Sequence, residues 1–184
     1  MNRLYKIIRY DWPLHFVLLF TGWLPDNVFF IRMRGILARP FFKKAGKNLK
    51  LGRDITFYDP SNITIGSNVY VAKGCWFNCQ YGIEIGSDIL FGPYVSVVTS
   101  NHSLKNGAYA FGENVRLERV IIKDGAWIAT HATLLPGTII NKAVLVAANA
   151  VIQGETEEYG IYGGIPARLL KKAVEQAEVG KGVA

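Results

Sequence analysis

His102 is the side chain whose type and position best suit catalysis. It closes the run Thr99-Ser100-Asn101-His102, directly before a stretch that interrupts a regular sequence repeat. Histidine takes up a proton near neutral pH more readily than other side chains, so a histidine at this point can serve as a general base. The two other histidines, His15 and His131, lie in an apolar run and at a repeat corner, where structural or surface roles are expected.

The repeat that must position His102 has a period of six residues. From residue 122 to residue 151 the first position of each hexad is a large aliphatic residue: Ile122, Ile128, Leu134, Ile140 and Val146. The fifth position is small or β-branched: Ala126, Ala132, Thr138, Val144 and Ala150. This period matches neither an amphipathic helix nor a simple alternating strand. Short fixed repeats are typical of a parallel β-helix, whose coils bury their faces by stacking.

The same period runs from Ile65 to His102, with two additional residues before position 85. The two Ile-Gly-Ser openings, at residues 65 and 85, are predicted to be equivalent points one coil apart. The period stops after His102 and resumes near Val120. Residues 103–118 therefore form an inserted loop, and long loops on a regular scaffold are commonly functional.

Composition and charge narrow the class of protein. The chain has 184 residues, half of them apolar, which predicts a folded domain with a sizeable core. Cys75 and Cys79 both lie inside the repeat, and they are interpreted as packing residues in a reducing compartment. No cleavable signal peptide is predicted. Of the net charge of +7, residues 1–50 carry ten Lys/Arg against two acidic residues, which argues against a nucleic-acid groove along the repeat.

Residues 1–46 form a basic leader. Residues 2–11 are predicted to be a short helix ended by Pro13, and a second helix is predicted from Pro25 with Asp26 as its N-cap. The apolar run 12–24 is shorter than the roughly 20 residues that span a bilayer.

Two interpretations of the leader stay open. In one it lies on an anionic membrane, with Arg32, Arg34, Arg39, Lys43 and Lys44 facing lipid headgroups. In the other it caps the open end of the β-helix and packs between subunits, since repeat folds need caps. The two interpretations are compatible.

The predicted domain organisation is a leader over 1–46, a β-helix over 47–165 with its loop at 103–118, and a C-terminal segment over 166–184. Pro166 is predicted to open a short helix that extends from Ala167 to about Val179. The fold class is therefore all-β, with helical segments at both ends.

Several motifs together resemble the hexapeptide-repeat acyltransferases, and most of all their galactoside, maltose, xenobiotic and polysaccharide O-acetyltransferase branch. The resemblance covers about residues 47–172. It is carried by the hexads, Asn78, Asn101-His102 with the following loop, Trp127-Ile128-Ala129-Thr130, and the ending Gly163-Gly164-Ile165-Pro166-Ala167-Arg168. It implies a left-handed parallel β-helix that forms homotrimers with active sites between subunits.

The resemblance also implies roles for individual residues. His102 matches the general base that deprotonates an acceptor hydroxyl, which then attacks acetyl-CoA through a tetrahedral oxyanion, with no covalent enzyme intermediate and no metal. Asn78 and Asn101 match the acceptor site. The positions matching the coenzyme A site are Trp127, Thr130, Ala148, Arg168 and Lys171. Local alternatives are a turn-stabilising role for Asn78, a packing role for Trp127 and solvated charges for Arg168 and Lys171.

The chain departs from the family pattern at two turns. The usual Gly-Ala-Gly turn is replaced by Ala147-Ala148-Asn149, and the usual acidic-Ile-Pro turn by Glu157-Glu158-Tyr159-Gly160. Both changes affect the expected coenzyme A contacts and leave His102 untouched.

The sequence thus predicts a trimeric, acetyl-CoA-dependent O-acetyltransferase acting on a sugar hydroxyl in surface polysaccharide or lipid-linked glycan biosynthesis. It is expected to be cytoplasmic and peripheral on the inner face of the cell membrane. The alternatives are an amino-sugar N-acetyltransferase and a catalytically silent β-helix that acts as a scaffold.

Overall fold

A computed structural model of the chain describes residues 2–109 and 115–173. Short strands follow one another from Lys44 onward and are separated by turns. In chain order they are β1 Lys44–Ala45, β2 Lys50–Leu51, β3 Thr56–Tyr58, β4 Ile63–Ile65, β5 Tyr70–Val71, β6 Trp76–Asn78, β7 Ile83–Ile85, β8 Leu90–Phe91, β9 Ser96–Val98, β10 Ser100–His102, β11 Leu104–Lys105, β12 Ala108–Tyr109, β13 Val115–Leu117, β14 Val120–Ile122, β15 Trp127–Ile128, β16 Thr133–Leu134, β17 Ile139–Ile140, β18 Leu145–Val146, β19 Val151–Ile152, β20 Gly160–Gly164 and β21 Ala167–Lys172.

These strands form a parallel β-helix with three faces, which confirms the predicted fold class. Sheet 1 has the order β1-β4-β7-β14-β17, sheet 2 the order β2-β5-β8-β15-β18-β20-β21, and sheet 3 the order β19-β16-β9-β6-β3. Each coil visits the three sheets in turn. Ile65 pairs with Ile85, so the two Ile-Gly-Ser openings do lie one coil apart.

The hexad positions supply the core. All five large aliphatic residues of the 122–151 run are buried, and so are all five residues at the fifth position. A line of aromatic rings continues the core toward the N-terminal end, with ring centroids 4.9 Å apart for Phe57 and Phe77 and 5.4 Å apart for Phe77 and Phe91. Because burial of one such side chain contributes about 1.5–3 kcal/mol, the six-residue pattern accounts for most of the stabilisation of the coils.

The predicted loop does leave the coil stack. β10 pairs antiparallel with β13, and β11 pairs antiparallel with β12. β14 then pairs with β7, so the coil resumes where it had stopped, with the loop excluded. Residues 110–114 of this loop lie outside the described part of the chain.

The helical leader differs from the prediction in two details. α1 Arg3–Lys6, a π-turn Ile7–Asp11 and α2 Trp12–Thr21 follow one another without a break, so the prediction that Pro13 ends a helix is wrong. The π-turn, in which the Trp12 N–H bonds to the Ile7 carbonyl, lets the helix accommodate a proline that lacks a donor. α3 Val28–Ala38 is capped by Asn27 and not by Asp26.

The leader covers the open end of the β-helix. Leu14, Ala38 and Phe42 join the buried core of the first coil. Arg34 is fully buried and donates to the Leu51 carbonyl and to the Asp26 carboxylate, both at 2.8 Å, so the prediction that it faces headgroups is wrong. In the described part of the chain no helix has both the length and the apolar character needed to cross a bilayer.

The C-terminal helix prediction is wrong for Ala167–Lys172. This segment is strand β21, antiparallel to β20 at the edge of sheet 2. The turn at Pro166 returns the chain to an edge whose backbone groups need partners, and this pairing outweighs the helix propensity of the segment. Residues 174–184, which include the rest of the predicted helix, lie outside the described part.

Candidate functional site

Asn78 ends a strand of sheet 3 and anchors the root of the inserted loop. Its Nδ2 donates to the Ser100 hydroxyl at 2.8 Å, and its Oδ1 accepts the Gln80 N–H at 3.2 Å. The side chain is buried. The local alternative, a turn-stabilising asparagine, therefore describes the contacts of Asn78 in this chain.

His102 and Asn101 lie on the strand pair that leaves the corner between sheets 3 and 1. His102 is opposite Val115, and both His102 and Asn101 are exposed. The His102 N–H donates to the Asn101 Oδ1 at 2.9 Å, so this asparagine shapes the backbone next to the imidazole. The strand pair presents an accessible imidazole beside the outer surface of sheet 3.

Thr130 and Ala148 lie one above the other at the corner between sheets 2 and 3. The pairing of Ile128 with Val146 fixes this register, and Asn149 N–H donates to the Thr130 carbonyl at 3.0 Å. Within the described residues, neither the Thr130 N–H nor the Ala148 N–H donates to a protein acceptor. Thr130 is half-buried and Ala148 is exposed, so both N–H groups are available to a ligand that carries carbonyl oxygens.

One coil earlier the equivalent position is Pro93, which has no N–H to offer. Its carbonyl accepts the Thr130 hydroxyl at 2.8 Å and the His131 N–H at 3.0 Å, which fixes the Thr130 turn. A side-chain carbon on Gly92 would lie 2.7 Å from the Thr130 nitrogen, so glycine is needed there for close packing.

The corner between sheets 1 and 2 is arranged differently in the earlier coils. There the N–H of Ser67 donates to the Ser87 hydroxyl at 3.1 Å, and the N–H of Ser87 donates to Asp124 Oδ1 at 2.7 Å. Side chains from the next coil thus satisfy these donors. In the two later coils that carry Thr130 and Ala148, the equivalent N–H groups of Asp124 and Lys142 have no acceptor among the described residues. What distinguishes the donors of Thr130 and Ala148 is therefore their place beside the exposed Trp127.

Trp127 lies on the outer face of sheet 2, with 48% of its surface exposed. It pairs with Leu90 on one side and Leu145 on the other, which gives an apolar column beside the Thr130 turn. Its position fits a wall of an elongated ligand site as well as a subunit contact.

Arg168 and Lys171 are exposed residues of β21, at the end of sheet 2. Arg168 lines a cleft of about 500 Å³ with Val151 and Gln153. Glu118, the last residue of the inserted loop, lines the same cleft. No period or motif marks Glu118 in the sequence, and its position at the end of the inserted loop is the one signal that could have identified it.

The structure brings the predicted residues together in two groups and leaves the groups apart. Trp127, Thr130, Ala148 and Lys171 belong to sheet 2 or to its corner with sheet 3. Arg168 is also on a strand of sheet 2, but it lines a cleft with Glu118 at the end of the inserted loop. The groups around Asn78 and His102 lie at the other edge of sheet 3. A strand of three residues separates the two corners by about 10 Å, since each residue advances the strand by about 3.3 Å.

The remaining candidates have local roles. His131 stacks on Tyr94 with ring centroids 5.1 Å apart, and His15 lines a cleft between the leader and the first coil. Cys75 and Cys79 are buried free thiols, and burial raises the pKa of Cys75 to about 11. Among residues 2–109 and 115–173, no group of three His, Cys, Asp or Glu side chains is placed to hold a metal ion.

Comparison with known proteins decides the family. WbbJ of Escherichia coli K12, named as a candidate lipopolysaccharide biosynthesis O-acetyl transferase, is 30% identical over 139 residues, which span 70% of this chain and 67% of WbbJ. The chain belongs to the hexapeptide-repeat acyltransferases. The galactoside O-acetyltransferase of the same strain is 23% identical over 142 residues, covering 77% of this chain and 70% of that enzyme.

A solved structure of this family shares the fold. The hexapeptide-repeat acetyltransferase of Vibrio cholerae O1 biovar eltor, crystallised with acetyl coenzyme A, superimposes with a TM-score of 0.79. It is 22% identical and matches 93% of this chain and 90% of its own. No family model matches the chain.

Proposed function

We propose that this acyltransferase uses acetyl-CoA to acetylate a sugar hydroxyl. The observation that carries the proposal is the pair of backbone N–H groups of Thr130 and Ala148, which have no acceptor within the described part of the chain. The pantetheine arm of coenzyme A is an extended chain with amide carbonyls, and it fits a line of such donors next to Trp127. The names of WbbJ and the galactoside enzyme support a sugar as the acceptor.

In this proposal His102 is the general base and acetyl-CoA supplies the acetyl group as a thioester. The imidazole accepts the proton of the acceptor hydroxyl as its oxygen adds to the acetyl carbon, which gives a tetrahedral oxyanion. Collapse of this intermediate re-forms the carbonyl and breaks the C–S bond. The proton then leaves with the thiol of coenzyme A. Backbone N–H groups stabilise the negative charge that develops on the carbonyl oxygen. Arg168 and Lys171 supply positive charge for the nucleotide phosphates.

The working unit in this proposal is a homotrimer. The donor group and the His102 group lie at opposite edges of sheet 3, so one protomer does not assemble them. A neighbouring copy that packs its corner between sheets 2 and 3 against the His102 loop would complete the site. Cyclic oligomers produce such contacts between unlike surfaces.

The proposed setting is the assembly of a surface polysaccharide or lipid-linked glycan at the cytoplasmic face of the cell membrane. The basic leader supports this placement because it would be attracted to anionic lipids. WbbJ, whose name refers to lipopolysaccharide biosynthesis, is consistent with it.

The test combines calorimetry with turnover. Acetyl-CoA should bind the wild type and His102→Ala equally. Release of the coenzyme A thiol with a panel of sugars should fall by about 10²–10⁴-fold in His102→Ala, the usual contribution of a general base. His15→Ala, which alters an exposed histidine of the leader and not of the coils, is the matched control and should keep full turnover.

Two results would overturn the proposal. If the folded wild type fails to bind acetyl-CoA, the protein is a catalytically silent scaffold and not an acetyltransferase. Turnover with amino sugars but with none of their hydroxyl analogues would establish N-acetylation instead.

A further inference from the structure

The leader has two apolar faces, and the coils use one of them. Leu14 and Thr21 on α2 are buried toward the first coil. The opposite side of α2 and the turn after it carry five exposed apolar residues. They are Trp12, Phe16, Leu19, Phe20 and Trp23.

α3 extends this surface with the exposed residues Val28, Phe29, Ile36 and Leu37. We call these nine side chains of α2, the turn and α3 the leader face. Phe20 is 69% exposed and Trp23 79%, so most of the surface of both rings lies outside the packed part of the leader. α2 and α3 pack against each other, and a cluster of exposed apolar side chains on adjoining helices is typical of an interaction site.

The charge around the leader face indicates what it contacts. Residues 12–24 contain no Lys, Arg, Asp or Glu, while Arg9 and Arg32 lie on either side in the sequence and are exposed. Residues 1–50 carry ten cations against two acidic residues, and the rest of the chain has eleven Lys/Arg against twelve Asp/Glu. The rest of a second copy is close to neutral in net charge, whereas an anionic bilayer offers both negative charge and an apolar interior.

The shape of the leader suits a helix that lies in the membrane surface. From Trp12 to Trp23 the apolar stripe is about 16 Å long, at 1.5 Å per helical residue. The two tryptophans stand at its ends, the position that indoles favour at a lipid–water boundary.

The packing of the leader against the first coil determines how the β-helix axis is oriented relative to a docked bilayer. The Arg34 guanidinium joins the helices to the first coil through the Leu51 carbonyl at 2.8 Å, and it also bonds the Thr21 carbonyl at 3.3 Å. The leader face points away from the coil that its other side covers. A bilayer against the leader face therefore lies beneath the stack of coils.

We propose that the leader face docks on an anionic bilayer with the β-helix axis upright, and that the acceptor is a glycan anchored in that same membrane. This inference rests on the proposed function. β3, β6 and β9 are successive strands of sheet 3, and His102 follows β9. With about 4.8 Å per coil and about 10 Å for the helix layer, the imidazole stands about 20 Å above the lipid surface. An acceptor tethered to that surface reaches the site at a raised effective concentration.

Docking is tested by sedimentation of the full chain with phosphatidylcholine vesicles, with and without phosphatidylglycerol. The wild type should pellet with the anionic vesicles and be released by salt. The double variant Phe20→Ser, Trp23→Ser should bind at least ten-fold more weakly. Tyr159→Ser removes an aromatic residue that is 42% exposed at the far end of the coils, and it should bind like the wild type. Equal binding by the double variant would overturn the proposal.

Acetyl-CoA binding is measured on the same variants and should not change, so a failure of docking is distinct from a failure of the proposed function. Sedimentation equilibrium of the double variant shows whether a bilayer or a second copy of the chain covers the leader face. A changed oligomeric state without any wild-type vesicle binding would show that a second copy covers the leader face, and would overturn the proposal.

The upright orientation is tested by energy transfer from a single dye to a labelled lipid. The native thiols are buried, so introduced cysteines can be labelled selectively. Asn48 and Asp88 lie at one corner, two coils apart, because Asn68 hydrogen-bonds to both. Transfer from Asn48→Cys should exceed transfer from Asp88→Cys, and equal transfer would show that the coils lie flat.

The acceptor is tested with the sugar identified in the turnover screen, supplied either free or on polyprenyl diphosphate in anionic vesicles. The anchored form should show the lower KM for the wild type, and the double variant should lose this advantage while acetylating the free sugar normally. The same KM for both forms would overturn the anchored-acceptor assignment.

Discussion

The hydroxyl of Thr99 donates to the backbone carbonyl of Asn78 at 2.7 Å, across two successive coils of sheet 3. The same oxygen accepts the Tyr81 N–H at 3.1 Å, and the Thr99 carbonyl accepts the Glu118 N–H at 3.1 Å. Thr99 is fully buried. One side chain and its peptide unit therefore tie both ends of the inserted loop to the coil beneath it, three residues before His102.

Thr99→Val is expected to lower kcat about ten-fold or more while the affinity for acetyl-CoA stays unchanged. Valine has the shape of threonine but leaves the Tyr81 N–H and the Asn78 carbonyl without their buried partner, which costs about 1–3 kcal/mol and loosens the strand that carries His102. Thr99→Ser retains the hydroxyl and should restore kcat. Steady-state kinetics and calorimetry measure the two quantities. A parallel loss of acetyl-CoA binding would indicate general unfolding instead of a positioning role.

The hexads made the coils predictable because each position of the repeat has one environment. Ile128 and Ala132 are buried for the same reason as their equivalents in every other coil. The loop was predictable as the place where this pattern fails. The network around Thr99 was not, because it depends on which residues of neighbouring coils become partners, and a period of six does not specify side-chain hydrogen bonds.

The ends of the chain were harder to predict because tertiary contacts override local preference there. Residues Ala167–Lys172 have good helix formers yet pair with an open sheet edge. Arg34 falls on a helix that looked amphipathic and basic, but its guanidinium is buried and forms four hydrogen bonds within the leader and one to the first coil. The spacing of residues along a helix predicts which face a side chain lies on, but it does not predict which hydrogen-bond acceptors lie next to that face.

Ala148→Pro is expected to weaken acetyl-CoA binding about ten-fold and leave the fold intact. Proline removes the N–H that lacks an acceptor in the described structure, and the loss of one hydrogen bond of about 1 kcal/mol or more accounts for the effect. The backbone tolerates proline here because Pro93 already occupies the equivalent place two coils earlier. Lys73 is the residue equivalent to Pro93 in the coil that lies one step closer to the leader, since Val71 pairs with Phe91. Lys73→Pro is therefore the control and should bind normally in calorimetry.

Arg168→Ala is expected to weaken acetyl-CoA binding by about 10–100-fold, since a hydrogen bond to a charged group contributes about 1.5–3 kcal/mol. Acetyl-pantetheine, which lacks the nucleotide phosphates, should react equally with Arg168→Ala and with the wild type. Lys172 is the control, because its ammonium is already paired with Glu157 at 2.7 Å. Lys172→Ala should change neither substrate's kcat/KM. If Arg168→Ala lowers kcat/KM as much with acetyl-pantetheine as with acetyl-CoA, Arg168 does not act on the nucleotide phosphates.

Asp11→Asn is expected to stabilise the protein at neutral pH. Burial raises the pKa of the Asp11 carboxyl above its ordinary value of 3.8, the Asp59 carboxylate acts in the same direction, and Lys6 opposes them. Its Oδ1 is buried and has no hydrogen-bond partner within the described residues.

Because the folded state binds the Asp11 proton more tightly than the unfolded state, stability falls as pH rises from 3.8 through the raised pKa. The amide in Asp11→Asn carries no such charge. Its Tm should therefore exceed that of the wild type at pH 7, and the difference should shrink as the pH approaches 3.8. Asp54, whose side chain is 60% exposed, is the control. Asp54→Asn should show no comparable pH-dependent gain in Tm, and a wild type that loses stability relative to Asp11→Asn on acidification would contradict the assignment.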